Sequence, residues 1–546
     1  MASSGVRLCQ IHELLDAIFD YVQPSTLPLS GGKFEAEDEC TRKELRSSLL
    51  SAAQASRTLS EHALDVLWRG LDDLAPLVSL LFPLRPFFVN KDAALLHSSL
   101  IDEQWQRFKT YAQRVRTLRA DYGGCFNPLI WAFILCRCRT EPLLPNLRVI
   151  SVLPINMSSL TTLVMVPTTL RCLYFGTDSA VDDNEYKPIS GFLRDIGKRA
   201  PGLEALTLHR NPDFEPIRPE SLFALKCFQC LNSIDLENSV FDLEMLRWAA
   251  GLKTLHTLRV AIEIRVKDDS DYSRDGKLFL PGAFRKLRHL SLHGTRSDIL
   301  KFTSNIRLPP FLSLSLDASE QNSPQYLATL VSACVGAFTR NPGVQQLEEF
   351  ALADTHARWR DEDSLLKIAA PLLSCRTLKK VSFLFTGFPS IKDEDLTRMA
   401  RSWPELTSFR ASRNMTPWFL YTQGDLPTIA SLGAFAEYCP KLAELSLADI
   451  DLRDNPPVCN MRFDNHPLRS LQAAFRTSRN ASEHSHYAAE VIDRLFPSVT
   501  VHLPPNQPTS FFDRPIEDDD DFEELFGVVK RHVEALQRVR RQREVS

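Results

Sequence analysis

The sequence predicts an α/β repeat solenoid, with parallel strands on its concave side and helices on its convex side, preceded by a small all-α module. Three observations predict it. An apolar pattern, L-x-x-L-x-L in outline, returns along the chain from about residue 110, and segments with helical spacing lie between its copies. Residues 9–75 carry helical spacing without that pattern.

The N-terminal module comes first. In IHELLDAIFDYV the apolar residues Ile11, Leu14, Leu15, Ile18, Phe19 and Val22 recur at helical spacing, and Pro24 ends the run. A second stretch, LRSSLLSAAQASRTLSEHALDVLWRGL, places Leu45, Leu49, Leu50, Ala53, Leu59, Ala63, Leu64, Leu67, Trp68 and Leu71 on further helices. Its small residues Ala52, Ala53 and Ala55 allow close helix approach. Between the two lies an insert at about 23–43, rich in Pro, Gly and acid, which reads as a surface loop.

An apolar first helix, an Ala-rich helix, a polar turn and the ending ALDVLWRGL together resemble an F-box of the kind found in fungal leucine-rich repeat proteins. Ile11-His12 stands where that family usually has Leu-Pro before its acidic residue. The resemblance implies docking on a Skp-type adaptor and, through it, on a cullin. It places the adaptor-binding surface on Leu14, Leu15, Ile18, Phe19, Leu50 and Ala53, with Leu67 and Trp68 closing the small core. The alternative is a three-helix cap in which all of these are internal. Solenoid caps present a polar outer face, whereas this segment has enough apolar residues for two faces. Residues 76–109 read as a helical connector, and the WQRFKTYAQRVRTLRA stretch resembles the strand that opens the repeat array in such fungal proteins.

The repeat pattern follows, over residues 110–505. Its clear copies are LEALTL, LNSIDL, LHTLRV, LRHLSL, FLSLSL, LEEFAL, LKKVSF, LTSFRA and LAELSL; weaker ones are VRTLRA, LRVISV, LRCLYF and LRSLQA. The last two apolar residues of each copy are two apart, so in a strand they share a face. One unit alone leaves that face wet; side-by-side stacking buries it as a column. The pattern resembles the leucine-rich repeat. Asn211, Asn414 and Asn238 stand at or near the position where that family places a turn-bonding Asn. Between copies, SLLKIAAPLLSC, DEDLTRMARSWP and SLGAFAEYCP have helical spacing, and Pro404 and Pro440 stop two of them.

The variable strand positions point away from the apolar column and form the expected target-binding face. They include Glu204, Ala205, Thr207, His256, Thr257, Arg259, Arg288, His289, Ser291, Lys379, Lys380, Ser382, Ser408, Arg410, Glu444 and Ser446. Arg259, Arg288, Lys379 and Arg410 would make a partly basic strip suited to an acidic or phosphorylated segment; a solvated face without preference is the alternative. His289 and His293 flank a strand, one of them expected to face the groove. The C-terminal part, 506–546, turns from IEDDDD to a basic helix with the stripe Leu525, Val529, Val533, Leu536 and Val539, which either caps the last repeat or seeks a partner.

Composition narrows the function. The chain of 546 residues is 44% hydrophobic and 24% charged, ordinary globular usage, and its net charge of -4 provides no field for nucleic acid or an anionic membrane. No secretory or membrane-spanning run is evident, so a cytoplasmic or nuclear location is expected. Twelve Cys in such a compartment are expected to be thiols. Cys136 with Cys138 and Cys227 with Cys230 lack a second ligand pair for zinc, so they read as core thiols. Sequons at Asn156, Asn414 and Asn480 carry no information without a secretory route. No dinucleotide fingerprint, P-loop, nucleophile elbow or zincin helix is present, so neither an enzyme nor a cofactor is expected. The expected function is target recognition in a Skp-cullin-F-box type ubiquitin ligase, with an unknown protein target. A repeat scaffold without a ligase role is the alternative.

Overall fold

The computed structural model describes residues 12–22, 39–81, 102–121, 134, 136–138, 141–153, 166–177, 186–210, 216–265, 279, 282–306, 312–318, 324–339, 346–354, 364–385, 389–413, 426–452, 463, 465–476, 481–502 and 520–545. Ile11, Pro24, Asn156, Asn211, Phe311, Asn414 and Asn480 lie outside them. The chain divides into two compact units, Met1–Phe241 and Asp242–Ser546.

The first unit begins with three helices, α1 (His12–Tyr21), α2 (Glu39–Ala55) and α3 (Arg57–Arg69). Ser56 makes the turn between α2 and α3, its hydroxyl accepting the Leu59 N–H at 3.2 Å as an N-cap. The helices close on Leu15, Phe19, Leu49, Ala63 and Val66, with Val22, Ala52, Ala53, Leu59 and Leu67 packed around them. Two boundaries differ from the sequence expectation. Helix α2 starts at Glu39, inside the stretch assigned to the insert, because Cys40–Glu44 is continuous with its helical spacing. The sheet starts far earlier than residue 110: β1 (Gly70–Leu71) leaves α3 directly and pairs with β2 (Thr117–Asp121), so module and repeats share backbone hydrogen bonds. A two-residue strand leaves no periodicity to read. Helix α4 (Asp102–Ala112) begins within the stretch read as a helical connector, of which residues 82–101 lie outside the described ones.

From β2 the strands run in sequence order, all parallel: β3 (Val149–Leu153), β4 (Cys172–Thr177), β5 (Ala205–Arg210) and β6 (Ser233–Phe241). Their register stacks Leu118, Ile150, Leu173, Leu206 and Ile234 in one column, every one fully buried.

The second unit repeats the design through β7 (Thr257–Ile262), β8 (His289–Gly294), β9 (Ser313–Ala318), β10 (Glu349–Asp354), β11 (Lys380–Phe385), β12 (Ser408–Arg413), β13 (Glu444–Asp451), β14 (Ser470–Arg476) and β15 (Thr500–His502). One buried column is Leu258, Leu290, Leu314, Phe350, Val381, Phe409, Leu445, Leu471 and Val501; beside it runs Val260, Leu292, Leu316, Leu352, Phe383, Ala411, Leu447 and Ala473. At roughly 1.5–3 kcal/mol for each fully buried large aliphatic or aromatic side chain, these columns supply most of the cohesion between strands. Position 294, at the end of β8, requires glycine: a Cβ there would meet the Ile262 carbonyl oxygen at 2.7 Å. All thirteen copies named from the sequence carry a strand; the short β1 and β15 were not read from it.

Helices form the second layer: α7 (Arg296–Asn305), α8 (Pro324–Thr339), α9 (Leu365–Ala369), α10 (Asp393–Ser402), α11 (Ala430–Tyr438) and α12 (Ala481–Leu495) pack on one another in order, and α5 (Tyr186–Arg199) and α6 (Leu243–Gly251) are the earlier ones. Helices α10 and α11 stop just before Trp403-Pro404 and Cys439-Pro440, as the prolines require. These strand-and-helix units make an α/β leucine-rich repeat solenoid. Helix α13 (Asp520–Val545) packs on α12, β14 and β15 and so covers the end of the array. Of the stripe expected on it, Val529 and Val533 are buried, Leu536 is half-buried and Val539 is 47% exposed, while Phe526 and Gln537 also face inward; the side chain of Leu525 lies outside the described ones. Polar anchors hold the helix there. Gln537 Nε2 donates to the Val499 carbonyl at 2.8 Å, and Arg540 pairs with Asp493.

Candidate functional site

Two surfaces carry the residues singled out by the sequence. On the N-terminal module, α1 divides into two stripes. Leu15 and Phe19, four apart, are buried at 4% and 8% exposure. Leu14, Ile18 and Tyr21, at i, i+4 and i+7, are 44%, 49% and 94% exposed, and Leu50 of α2 is 48% exposed. These are four of the six large hydrophobic side chains found exposed among the described residues, so the module concentrates them.

The eight expected adaptor residues therefore separate by role. Leu14, Ile18 and Leu50 are surface; Leu15 and Phe19 are core, which corrects their assignment to a contact surface in the free chain. Ala53 and Leu67 pack against that core from its edge. Trp68 does not close it: the indole lies against Tyr111 of α4, ring centroids 4.6 Å apart, and joins the module to the connector. Tyr21 was missed, although it falls seven residues after Leu14 on the same stripe. Outward charges fix the arrangement: His62 Nδ1 is 2.6 Å from Asp16, Arg69 pairs with Asp20, and Arg114 pairs with Glu61 and Asp65.

The second surface is the sheet face opposite the buried columns. In the first unit, Glu204 precedes β5 and lies 3.6 Å from Arg171. Thr207, expected to be available to a target, is only 6% exposed. Its register partners are Tyr174 of β4 and Asp235 of β6.

In the second unit the register sorts the rest into rows. Thr257, His289, Ser313, Glu349, Lys380, Ser408 and Glu444 share one; Arg259, Ser291, Ser315, Ala351, Ser382, Arg410 and Ser446 share another. Arg288 and Lys379 precede their strands and belong to neither. The basic strip consequently does not form. Arg259 and Arg410 are five strands, about 24 Å, apart, with Ser291, Ser315, Ala351 and Ser382 between them. Lys379 and Lys380 are paired with Glu348 and Glu349, each at 2.8 Å. Glu444 accepts a hydrogen bond from the Ser408 hydroxyl at 3.1 Å. Ser446 is buried. Both His289 and His293 lie on this open face, being four apart in one strand, and His293 Nδ1 is 3.0 Å from Asp317.

The thiols also divide. Cys138, Cys334, Cys375 and Cys439 are buried, and burial pushes Cys138 up to about 11 and Cys334 and Cys439 up to about 12, so these stay protonated and inert. Cys136, Cys227 and Cys230 are exposed, which corrects their reading as core thiols. In KCFQCL it is Phe228 that turns inward, leaving both flanking cysteines outside. Among the described residues no group of three or more His, Cys, Asp or Glu could hold a metal ion, and no helix is long and apolar enough to cross a membrane.

No protein-family model matches the sequence, and no curated protein matches it either. Solved structures do match. An internalin from Listeria monocytogenes aligns at 13% identity over 79% of this chain and 94% of its own, with a TM-score of 0.31. The Rad7 and Elc1 complex of yeast supplies another, at 15% identity over 78% of this chain and 98% of the matched chain, with a TM-score of 0.33.

Proposed function

We propose that this protein is the substrate-recognition subunit of a Skp-cullin-F-box type ubiquitin ligase, in which the helical module docks on a Skp-type adaptor and the open sheet face holds a protein target. The observation that supports this reading is the stripe of Leu14, Ile18 and Tyr21, with Leu50 beside it in sequence role, left outside a module that already has a complete core. A stripe that only capped the repeats would be polar outside. The chain itself forms and breaks no bond. It acts by proximity, holding target lysines near an activated thioester carried by another subunit.

A repeat scaffold without ligase role is the second reading. It is favoured by the use of Leu15, Phe19 and Trp68 in internal packing, as a plain structural cap would use them. Capture of the full chain on an immobilised Skp-type adaptor separates the two. The ligase reading expects capture that falls at least tenfold in Leu14→Asp/Ile18→Asp. Absence of capture by the unaltered chain, or capture indifferent to that double substitution, leaves the scaffold.

A further inference from the structure

The helix layer of the second unit holds a groove of about 570 Å³. One wall is the turn after α9, which carries Arg376; the other is one face of α10. Glu394, Arg398 and Arg401, four and three residues apart, share that face. Charge along it is polarised: Asp393 and Glu394 stand in the first turn of α10, Arg398 and Arg401 in its second half. Arg376 joins the basic end. Strand register pairs Lys380 with Ser408, so Arg376 corresponds to Pro404, just past the C-terminus of α10.

Partners decide which of these charges are available. Asp393 has both carboxylate oxygens engaged by Thr428, whose N–H and hydroxyl donate at 2.8 and 2.6 Å. Arg401 donates to the Tyr438 hydroxyl at 2.8 Å and lies 4.7 Å from the centre of that ring, so it is braced without losing its charge. The guanidinium groups of Arg376 and Arg398 make no ion pair or hydrogen bond among the described residues, and neither does the Glu394 carboxylate. Elsewhere in this unit Lys379, Lys380, Lys441, Arg413 and Arg476 all have carboxylate partners, which marks the two arginines out.

Three guanidinium groups at one end of a groove match a phosphate monoester, whose three oxygens each accept charge-assisted hydrogen bonds. A carboxylate, with two oxygens and one charge, would use fewer of them. From Glu394 to Arg401 the helix rises about 10 Å, the reach of about three extended residues, and the acid end favours a basic side chain.

We infer that this groove docks a peptide segment of a partner protein, with a phosphorylated side chain held by Arg376, Arg398 and Arg401 and a basic side chain about three residues away held by Glu394. The inference goes beyond the adaptor and target roles proposed above, since it places a further protein contact on the helix layer and requires neither of them.

Fluorescence anisotropy of the full chain tests it, with two labelled eight-residue peptides of Ala and Gly that each carry one phosphoserine and one Lys three places away, in opposite orders. Saturable binding of at least one is expected. Its unphosphorylated form should bind at least tenfold more weakly, and so should the phosphopeptide to Arg376→Glu/Arg398→Glu. Both side chains are exposed and support no contact of the fold, so this variant should keep the unfolding midpoint of the unaltered chain. Glu394→Lys should shift the preference to a phosphopeptide with Glu in place of Lys, a gain that misfolding would not produce. Binding of neither peptide, equal binding of the unphosphorylated form, or indifference to the arginine substitutions or to Glu394→Lys overturns the proposal. Displacement of the peptide by inorganic phosphate at equal concentration assigns the groove to a free anion and equally overturns it.

Discussion

Asp449 of β13 shows how much a single side chain carries here. It is 5% exposed, follows a register irregularity in its strand, and is held by Arg413 from β12 and by Arg476 of β14, whose Nε is 2.8 Å away. Arg413 and Arg476 keep 28% and 29% side-chain exposure, so removing the carboxylate takes away charge-assisted bonds that join three strands without stranding a buried charge. Asp449→Ala should therefore lower unfolding stability by about 1.5–3 kcal/mol, read from denaturant midpoints, and Asp449→Asn by less. The cysteines divide just as sharply. In the native protein, maleimide should modify Cys136, Cys227 and Cys230 within minutes and leave Cys334 and Cys439 unmodified until denaturant is added, as peptide mapping by mass spectrometry would show. Rapid native labelling of Cys439 would contradict the packing described. Nothing in the local sequence announces that both thiols of KCFQCL are outside, because that depends on where Phe228 turns.

At the scale of the element, helices α1 and α2 each show one apolar stripe used and another left over. Leu49 and Leu50 are adjacent in sequence, yet one is 1% and the other 48% exposed. Leu49→Ala should cost about 2–5 kcal/mol in the stability of the module, whereas Leu50→Ala should change it by no more than about 0.5 kcal/mol. Hydrogen exchange of α1 to α3 measures both, and equal losses would refute the assignment of inside and outside. Helical spacing identifies both stripes together, since i, i+3 and i+4 residues of either kind satisfy it; only the neighbouring helix decides which stripe is covered. Strands are more legible. With a period of two and one buried face, an apolar residue two places after another leaves little freedom, and every copy of the pattern became a strand. The shortest strands, β1 and β15, escaped because two or three residues cannot display a period.

Across the molecule, the repeated unit and the order of its strands follow from the sequence. Each unit exposes an apolar face that only its neighbour can cover, so a linear array with parallel strands is the economical solution. The expected chemistry of the open face did not survive in the same way. A basic strip requires Arg259, Arg288, Lys379 and Arg410 to share a row and to lack counterions. Register keeps Arg288 and Lys379 out of the row that Arg259 and Arg410 share five strands apart, and Glu348 and Glu349 of the preceding unit neutralise Lys379 and its neighbour Lys380. The same holds for the end of the array, where Gln537 and Arg540 anchor α13 to Val499 and Asp493 through contacts that its apolar residues alone do not announce. By itself the sequence determined what repeats, because burying a periodic apolar face is a local requirement written residue by residue. Tertiary structure alone decided which of two apolar stripes stays dry and which charges find partners, because both depend on side chains brought together from units some thirty or more residues apart.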